Sequence, residues 1–144
     1  MASSRKLGEF KNGIVIYSVY EALYLEETKK AELFFKDKKI KVPYFLKKIK
    51  QKHLLKNYLV FRDLTKKGYI VKTGLKFGAE FRVYNKKDKH AKWLCQPFLE
   101  SNKISWSDFS AKNRIAHSTA KKLLLALVDK EEDINYYEVS WTKP

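Results

Sequence analysis

Changes in the spacing of hydrophobic positions mark the elements of this chain. Residues 13–19, GIVIYSV, form a short β-branched run that predicts a strand. Residues 20–33, YEALYLEETKKAEL, combine good helix formers with acids early and lysines late, the order a helix dipole favours. Residues 39–45, KIKVPYF, read as extended around Pro43. Lysine then dominates residues 47–56, where a linker or the start of a further helix is expected, together with a domain boundary. Residues 53–68 restore a helical period: Leu55, Tyr58, Leu59 and Arg62 fall on one side at i, i+3, i+4, i+7. Lys66 and Lys67 suit the last turn, and Gly68 is placed to end the helix.

The second half reads mostly as strands. YIVKTG and KFGAEFRVY are two of them, interrupted by Gly74 and Gly78. Residues 91–98, AKWLCQPF, are another, stopped by Pro97. Residues 105–120 predict a helix, with Ser105 or Ser107 as its cap and Asp108 in the first turn. KKLLLALVD (121–129) fits either a continuation of that helix or a strand. The strand is preferred, because DKEED makes a polar turn and INYYEVSW after it completes an antiparallel hairpin. Within FRVY, Phe81 and Val83 share one face, while Glu80, Arg82 and Tyr84 share the other. A tyrosine therefore points with charged residues, just upstream of a lone histidine, His90.

Composition narrows the function. The chain has 144 residues, 44% of them hydrophobic, so a packed core is expected and global disorder is not. Its net charge is +15, from 31 Lys+Arg against 16 Asp+Glu, which points to a polyanionic partner; aromatics at 15% add stacking surfaces. The lysines are spread along the chain rather than lining one amphipathic helix, and no apolar run approaches the ~20 residues that span a bilayer, so a nucleic acid is favoured over a membrane. The opening MASSRK lacks a signal-peptide core. Cys95 is the only cysteine, which agrees with a reducing, cytoplasmic setting. Three scattered histidines and one cysteine make no recognisable metal-ligand set, and no cofactor motif is visible.

Taken together, NYLVFRDLTKKGYIVKTGLKFGAEFRVY, His90, NRIAHSTAKKLLLALVD and INYYEVSWTKP resemble the catalytic domain of the archaeal tRNA-splicing endonuclease family over about residues 57–144. The matching pieces are ordered: a Y-x-V-x-R-D-L-x-x-x-G-Y helix, K-T-G-x-K-F-G, F-R-V-Y, R-x-A-H-S-x-x-K and Y-Y-E-V…K-P. The resemblance implies an α/β fold (α+β mixed) in two parts. A small, abbreviated N-terminal domain would cover 1–54, and a catalytic domain with a mixed sheet flanked by helices would cover 55–144.

It also implies metal-independent excision of introns from precursor tRNA at bulge–helix–bulge junctions, leaving 2′,3′-cyclic phosphate and 5′-hydroxyl ends. Tyr84, His90 and Lys121 match the family's catalytic tyrosine, histidine and lysine. They would serve as base for the 2′-hydroxyl, acid for the departing 5′-oxygen and cation for the phosphorane. A phenol is a weak base at neutral pH, roughly a thousandth ionised, so acting as base and orienting the hydroxyl while neutral both stay open. The loop from Tyr84 to His90 is shorter than usual in the family, and Ala91 stands where a serine is common. Arg114 and Trp141 match the two positions that clamp a bulged base, with Trp141 in place of an arginine. His117 is read as structural, His53 as a surface residue and Cys95 as a buried strand residue. The acidic turn 129–133 is expected either as a solvated turn or as a plug for a basic groove on another subunit. The resemblance further implies an assembly: a dimer completed by a homologous structural subunit into a heterotetramer, with a homo-oligomer as the other form. Rival readings are a non-catalytic structural subunit, an RNA-binding module and a metal-dependent nuclease. Glu80-Phe81-Arg82 lacks the second acid and the lysine that the last would need.

Overall fold

The computed structural model describes residues 7–48 and 52–144, and the chain divides into two compact units with the boundary between Tyr58 and Leu59. In the first unit β1 (Glu9–Lys11) and β2 (Ile14–Ile16) form an antiparallel hairpin, followed by α1 (Val19–Glu27). A second antiparallel hairpin joins β3 (Leu33–Phe35) to β4 (Lys38–Ile40), and α2 (Val42–Lys48) and α3 (Lys52–Lys66) follow. Leu23, Val42 and Tyr58 form the buried centre of this unit, with Tyr20, Tyr24, Leu33, Phe45 and Leu46 packed against them.

Three expectations for this region are corrected. The strand expected over 13–19 is confined to Ile14–Ile16, because Ser18 already caps α1: its hydroxyl accepts from Glu21 N, and the Glu21 carboxylate accepts from Ser18 N. The helix expected over 20–33 ends at Glu27. Lys29 adopts a left-handed φ of 58° there, and Lys30 N and Lys29 N donate to the carbonyls of Leu25 and Glu26, a Schellman ending. Residues 39–45 are not extended throughout. α2 begins at Val42, and Pro43 sits in its first turn, where a missing N–H leaves no intrahelical bond unmade. Of the lysine-dominated stretch 47–56, residues 49–51 lie outside the described residues, and helix occupies the remainder.

The second unit is a five-stranded sheet in the order β5-β6-β7-β8-β9, made of β5 (Ile70–Thr73), β6 (Phe81–Tyr84), β7 (Trp93–Leu99), β8 (Lys122–Val128) and β9 (Ile134–Val139). All pairs are antiparallel except β7 with β8, which α4 (Trp106–Ser118) connects as a crossover. The fold is mixed α/β, as expected. The β8–β9 hairpin is present, with Val128 opposite Ile134. The Asp129 carboxylate accepts from the Glu131 and Asp133 amides and closes the turn. β8 is buried at Leu123, Leu124, Ala126 and Val128, as a strand paired on both sides requires.

Burial on α3 departs from the stripe of Leu55, Tyr58, Leu59 and Arg62: Leu55 and Arg62 are half-buried, whereas Asn57, Val60, Phe61 and Leu64 are buried with Tyr58 and Leu59. The helix ends at Gly68 as expected, with φ of 93° and Tyr69 N donating to Leu64 O. KFG is not strand. Leu75–Phe77 form a 3-10 turn, because Gly74 lies against β6 so closely that a Cβ there would sit 2.8 Å from Phe81 C. Nor does Pro97 stop β7, which runs on to Leu99. The last β7 residue paired with β6 is Cys95, so Pro97 falls where that edge has no ladder bond to supply.

α4 is capped by Ser105, whose hydroxyl accepts from Asp108 N at 3.1 Å. It ends in the same Schellman pattern as α1 and α3: Lys121 N donates to Ala116 O at 2.8 Å and Ala120 N to His117 O at 3.1 Å. Ala120 therefore occupies the left-handed position at φ 56°, where a Cβ is strained. Ala120→Gly is expected to stabilise the chain by about 0.5–1 kcal/mol after allowing for glycine's extra freedom when unfolded. A urea titration would show this as a higher midpoint.

Candidate active site

Strand order brings three of the sequence-selected residues to one end of the sheet. β6 runs antiparallel to β7 and β7 parallel to β8, so the end of β6 lies beside the starts of β7 and β8. Two backbone bonds fix this meeting point. Lys92 N donates to Val83 O at 2.9 Å, and Lys122 N donates to Lys92 O at 3.1 Å. Tyr84 is the residue after Val83, His90 lies two before Lys92, and Lys121 immediately precedes Lys122. His90 is exposed, whereas Tyr84 and Lys121 are half-buried.

Each side chain has a distinct setting. Tyr84 closes β6 opposite Ile70, with the Arg82 guanidinium 5.9 Å from its ring centre. Arg82 is itself held by donating from Nε to Thr73 O at 2.7 Å. The short loop carrying His90 is braced by Asn85, whose Nδ2 donates to the Asp88 carboxylate at 2.8 Å. Lys121 donates to Thr119 O at 3.0 Å and lies 5.0 Å from the centre of the Phe77 ring. The neighbouring Lys122 is engaged elsewhere, with its ammonium 3.1 Å from the Glu138 carboxylate. Hydrogen bonds from the Trp93 indole and from Lys122 hold that carboxyl below the usual range. Of two adjacent lysines, only Lys121 is without a carboxylate among the described residues.

Arg114 and Trp141 are both exposed. Trp141 rests on His117, with ring centres 4.6 Å apart and planes tilted by 39°. Arg114 precedes His117 by one helical turn, on the same side of α4. The sequence marked His117 as structural without finding its partner, since nothing in local spacing links a helix to a tail residue. Phe77 was likewise missed as a neighbour of Lys121; its placement between Gly74 and Gly78 was the available signal. Cys95 is buried in β7, where burial pushes its thiol well up, and His53 is exposed. The acidic turn is exposed from Lys130 to Asp133, and Glu132 and Asp133 line a shallow cleft with Arg62, Asp63 and Lys66. Among the described residues no three His, Cys, Asp or Glu side chains cluster as a metal site would need, and no helix is long and apolar enough to cross a membrane.

Residues 54–136 match the family described as tRNA intron endonuclease, catalytic C-terminal domain. The similarity extends over nearly the whole chain in individual relatives. A tRNA-splicing endonuclease of Pyrococcus horikoshii is 38% identical over 143 residues, spanning 98% of this chain and 84% of that protein. One from Methanothermobacter thermautotrophicus is 43% identical over 131 residues, 88% of this chain and 77% of the relative. One from Nanoarchaeum equitans is 41% identical over 136 residues, covering 86% and 87% respectively.

Proposed function

Because the chain belongs to the tRNA intron endonuclease family, and so is an endonuclease of tRNA splicing, we propose that it cuts precursor tRNA at bulge–helix–bulge junctions by metal-independent attack of the RNA's own 2′-hydroxyl. The active site lies in the domain from about Leu55 onward. Tyr84 engages the 2′-hydroxyl, His90 protonates the departing 5′-oxygen and Lys121 stabilises the charge that builds on the phosphorane. The 2′-oxygen bonds to phosphorus as the bond to the 5′-oxygen breaks, leaving a 2′,3′-cyclic phosphate and a 5′-hydroxyl. The observation that supports this most is the meeting of the end of β6 with the starts of β7 and β8, where Tyr84 and Lys121 adjoin the bonded residues Val83 and Lys122 and His90 lies two residues before Lys92. An exposed imidazole suits proton transfer to a leaving group that arrives with the substrate, and a lysine not neutralised by a carboxylate suits an anionic transition state.

Arg114 and Trp141 clamp a bulged base, Arg114 by its planar cation and Trp141 by stacking, a contact worth ~1–3 kcal/mol per base. Trp141→Ala is expected to weaken binding of the bulged RNA by about tenfold or more, and Trp141→Phe, which keeps a π-face, by less. A filter-binding titration distinguishes the two; equal losses accompanied by dissociation of the assembly would assign Trp141 to a subunit interface.

The chain works in the cytoplasm as a dimer completed by a homologous structural subunit, the acidic turn 129–133 of one chain docking on a basic groove of another. The acidic turn is a local patch of opposite sign in a chain of net charge +15, which suits docking on a basic groove, and the net charge draws the RNA. Purified chain, alone and with a candidate partner subunit, should be incubated with a bulge–helix–bulge RNA in excess chelator. Cyclic-phosphate ends are expected; cleavage only on adding a divalent metal, or 5′-phosphate ends, contradicts the reading.

A further inference from the structure

The Lys121 ammonium lies 5.0 Å from the centre of the Phe77 ring, and the Arg82 guanidinium lies 5.9 Å from the same centre. Arg82 is also 5.9 Å from the Tyr84 ring. One phenyl ring thus touches two cations, one of them reaching on to Tyr84. We propose that Phe77 is a positioning residue of the cleavage reaction, holding Lys121 and, through Arg82, Tyr84 in a fixed arrangement. The proposal rests on the catalytic reading of Tyr84 and Lys121 given above.

Three features support it. The first is that the ring is anchored before it meets either cation. Phe77 closes the 3-10 turn with its N–H donating to Gly74 O at 2.8 Å, and its side chain packs on the buried cluster of Ala79, Leu94, Ala116 and Leu123. Gly74 in turn donates to Glu80 O at 2.9 Å, and Gly78 takes the left-handed φ of 70° that lets the chain turn back into β6. The platform is therefore set by the sheet that carries Tyr84. The second is that both cations are tethered at a further point, Lys121 to Thr119 O and Arg82 to Thr73 O, so the ring selects one rotamer of each rather than binding a free side chain. The third is chemical. A carboxylate would also fix the Lys121 ammonium, but it would neutralise it. An aromatic face attracts the cation through its quadrupole and leaves its full charge for the phosphorane. Among the described residues no carboxylate pairs with Lys121, so the ring and one carbonyl hold it.

The test is a mutant cycle in the full chain, in whichever assembly is active, read by single-turnover cleavage and RNA binding. Phe77→Leu is expected to slow cleavage about tenfold with RNA affinity within about twofold, and Phe77→Tyr to restore the rate. In a Lys121→Ala background, Phe77→Leu should slow the remaining cleavage by clearly less than about tenfold, because the part of its effect that passes through Lys121 is already gone and only the part through Arg82 and Tyr84 is left. An equal loss in both backgrounds, or no loss in the first, overturns the proposal. A readout independent of activity accompanies these rates. The Lys121 ε-methylene protons should show an upfield ring-current shift in the wild type and in Phe77→Tyr. Absence of that shift overturns the proposal even if Phe77→Leu unfolds. Should Lys121→Ala itself cleave at the wild-type rate, the catalytic reading fails, and the ring-current shift still reports separately whether the contact exists.

Discussion

His90→Ala and Lys121→Ala are each expected to slow single-turnover cleavage of a bulge–helix–bulge RNA by ~10²–10⁴-fold, while RNA affinity stays within a few fold. The range follows from what a positioned acid–base group or a charge-stabilising group ordinarily contributes. His90 is exposed in a short loop and Lys121 caps the approach to β8, so neither is a core residue whose loss would unfold the sheet. Tyr84→Phe keeps the ring that Arg82 covers and removes only the hydroxyl, so it should lose rate without losing stability. Quenched-flow or manual time courses with enzyme in excess check all three. A variant of either His90 or Lys121 that cleaves near the wild-type rate would remove that residue from the mechanism.

Leu123→Ala should be the most destabilising of the substitutions considered, lowering the unfolding free energy by about 3 kcal/mol. Leu123 is 0% exposed and lies in the strand flanked by β7 and β9, packed with Ala79, Leu94 and Ala116. Ala79 and Ala116 are small and Leu94 is fixed in β7, so they close little of the cavity, and the Phe77 and Phe109 rings packed on the same cluster lose part of their support. The residue is two positions from Lys121, which makes the outcome informative about the site as well. Chemical denaturation should show the fall, and the folded fraction should still cleave, though more slowly, because the Lys121 backbone N–H keeps its bond to Ala116 O while the Phe77 ring loses part of its packing on Leu123. A shift below about 1 kcal/mol would mean that the cluster repacks freely.

Much of the second unit was legible because its cues are local. The Gly68 ending of α3, the Ser105 cap of α4, and the buried Phe81 and Val83 against half-buried Arg82 and Tyr84 all follow from neighbouring residues. The first unit was read less well. Asn12-Gly13, with φ of 50° and 82°, is a strong hairpin signal that the reading of 13–19 as one strand passed over. The β3–β4 turn offered less, since Lys36 and Asp37 take positive φ without a glycine, and its strands are three residues long, the second of them led by two lysines. At the site, Tyr84, His90 and Lys121 were selected by motif, not by residue type, for a lone tyrosine or lysine in so basic a chain carries no signal. Gly74 and Gly78 marked the Phe77 turn as special, but its partner Lys121, like the contact of His117 with Trp141, lies on a segment that only the folded sheet and helix bring near.

The central claim is that the substrate supplies its own nucleophile at a site built from Tyr84, His90 and Lys121. A precursor tRNA carrying a single 2′-deoxy nucleotide on the 5′ side of one scissile phosphate tests it most directly. The expected result is loss of cleavage at that junction with cleavage at the other junction unchanged. Cleavage at the deoxy junction at the rate of the all-ribose RNA would contradict the account.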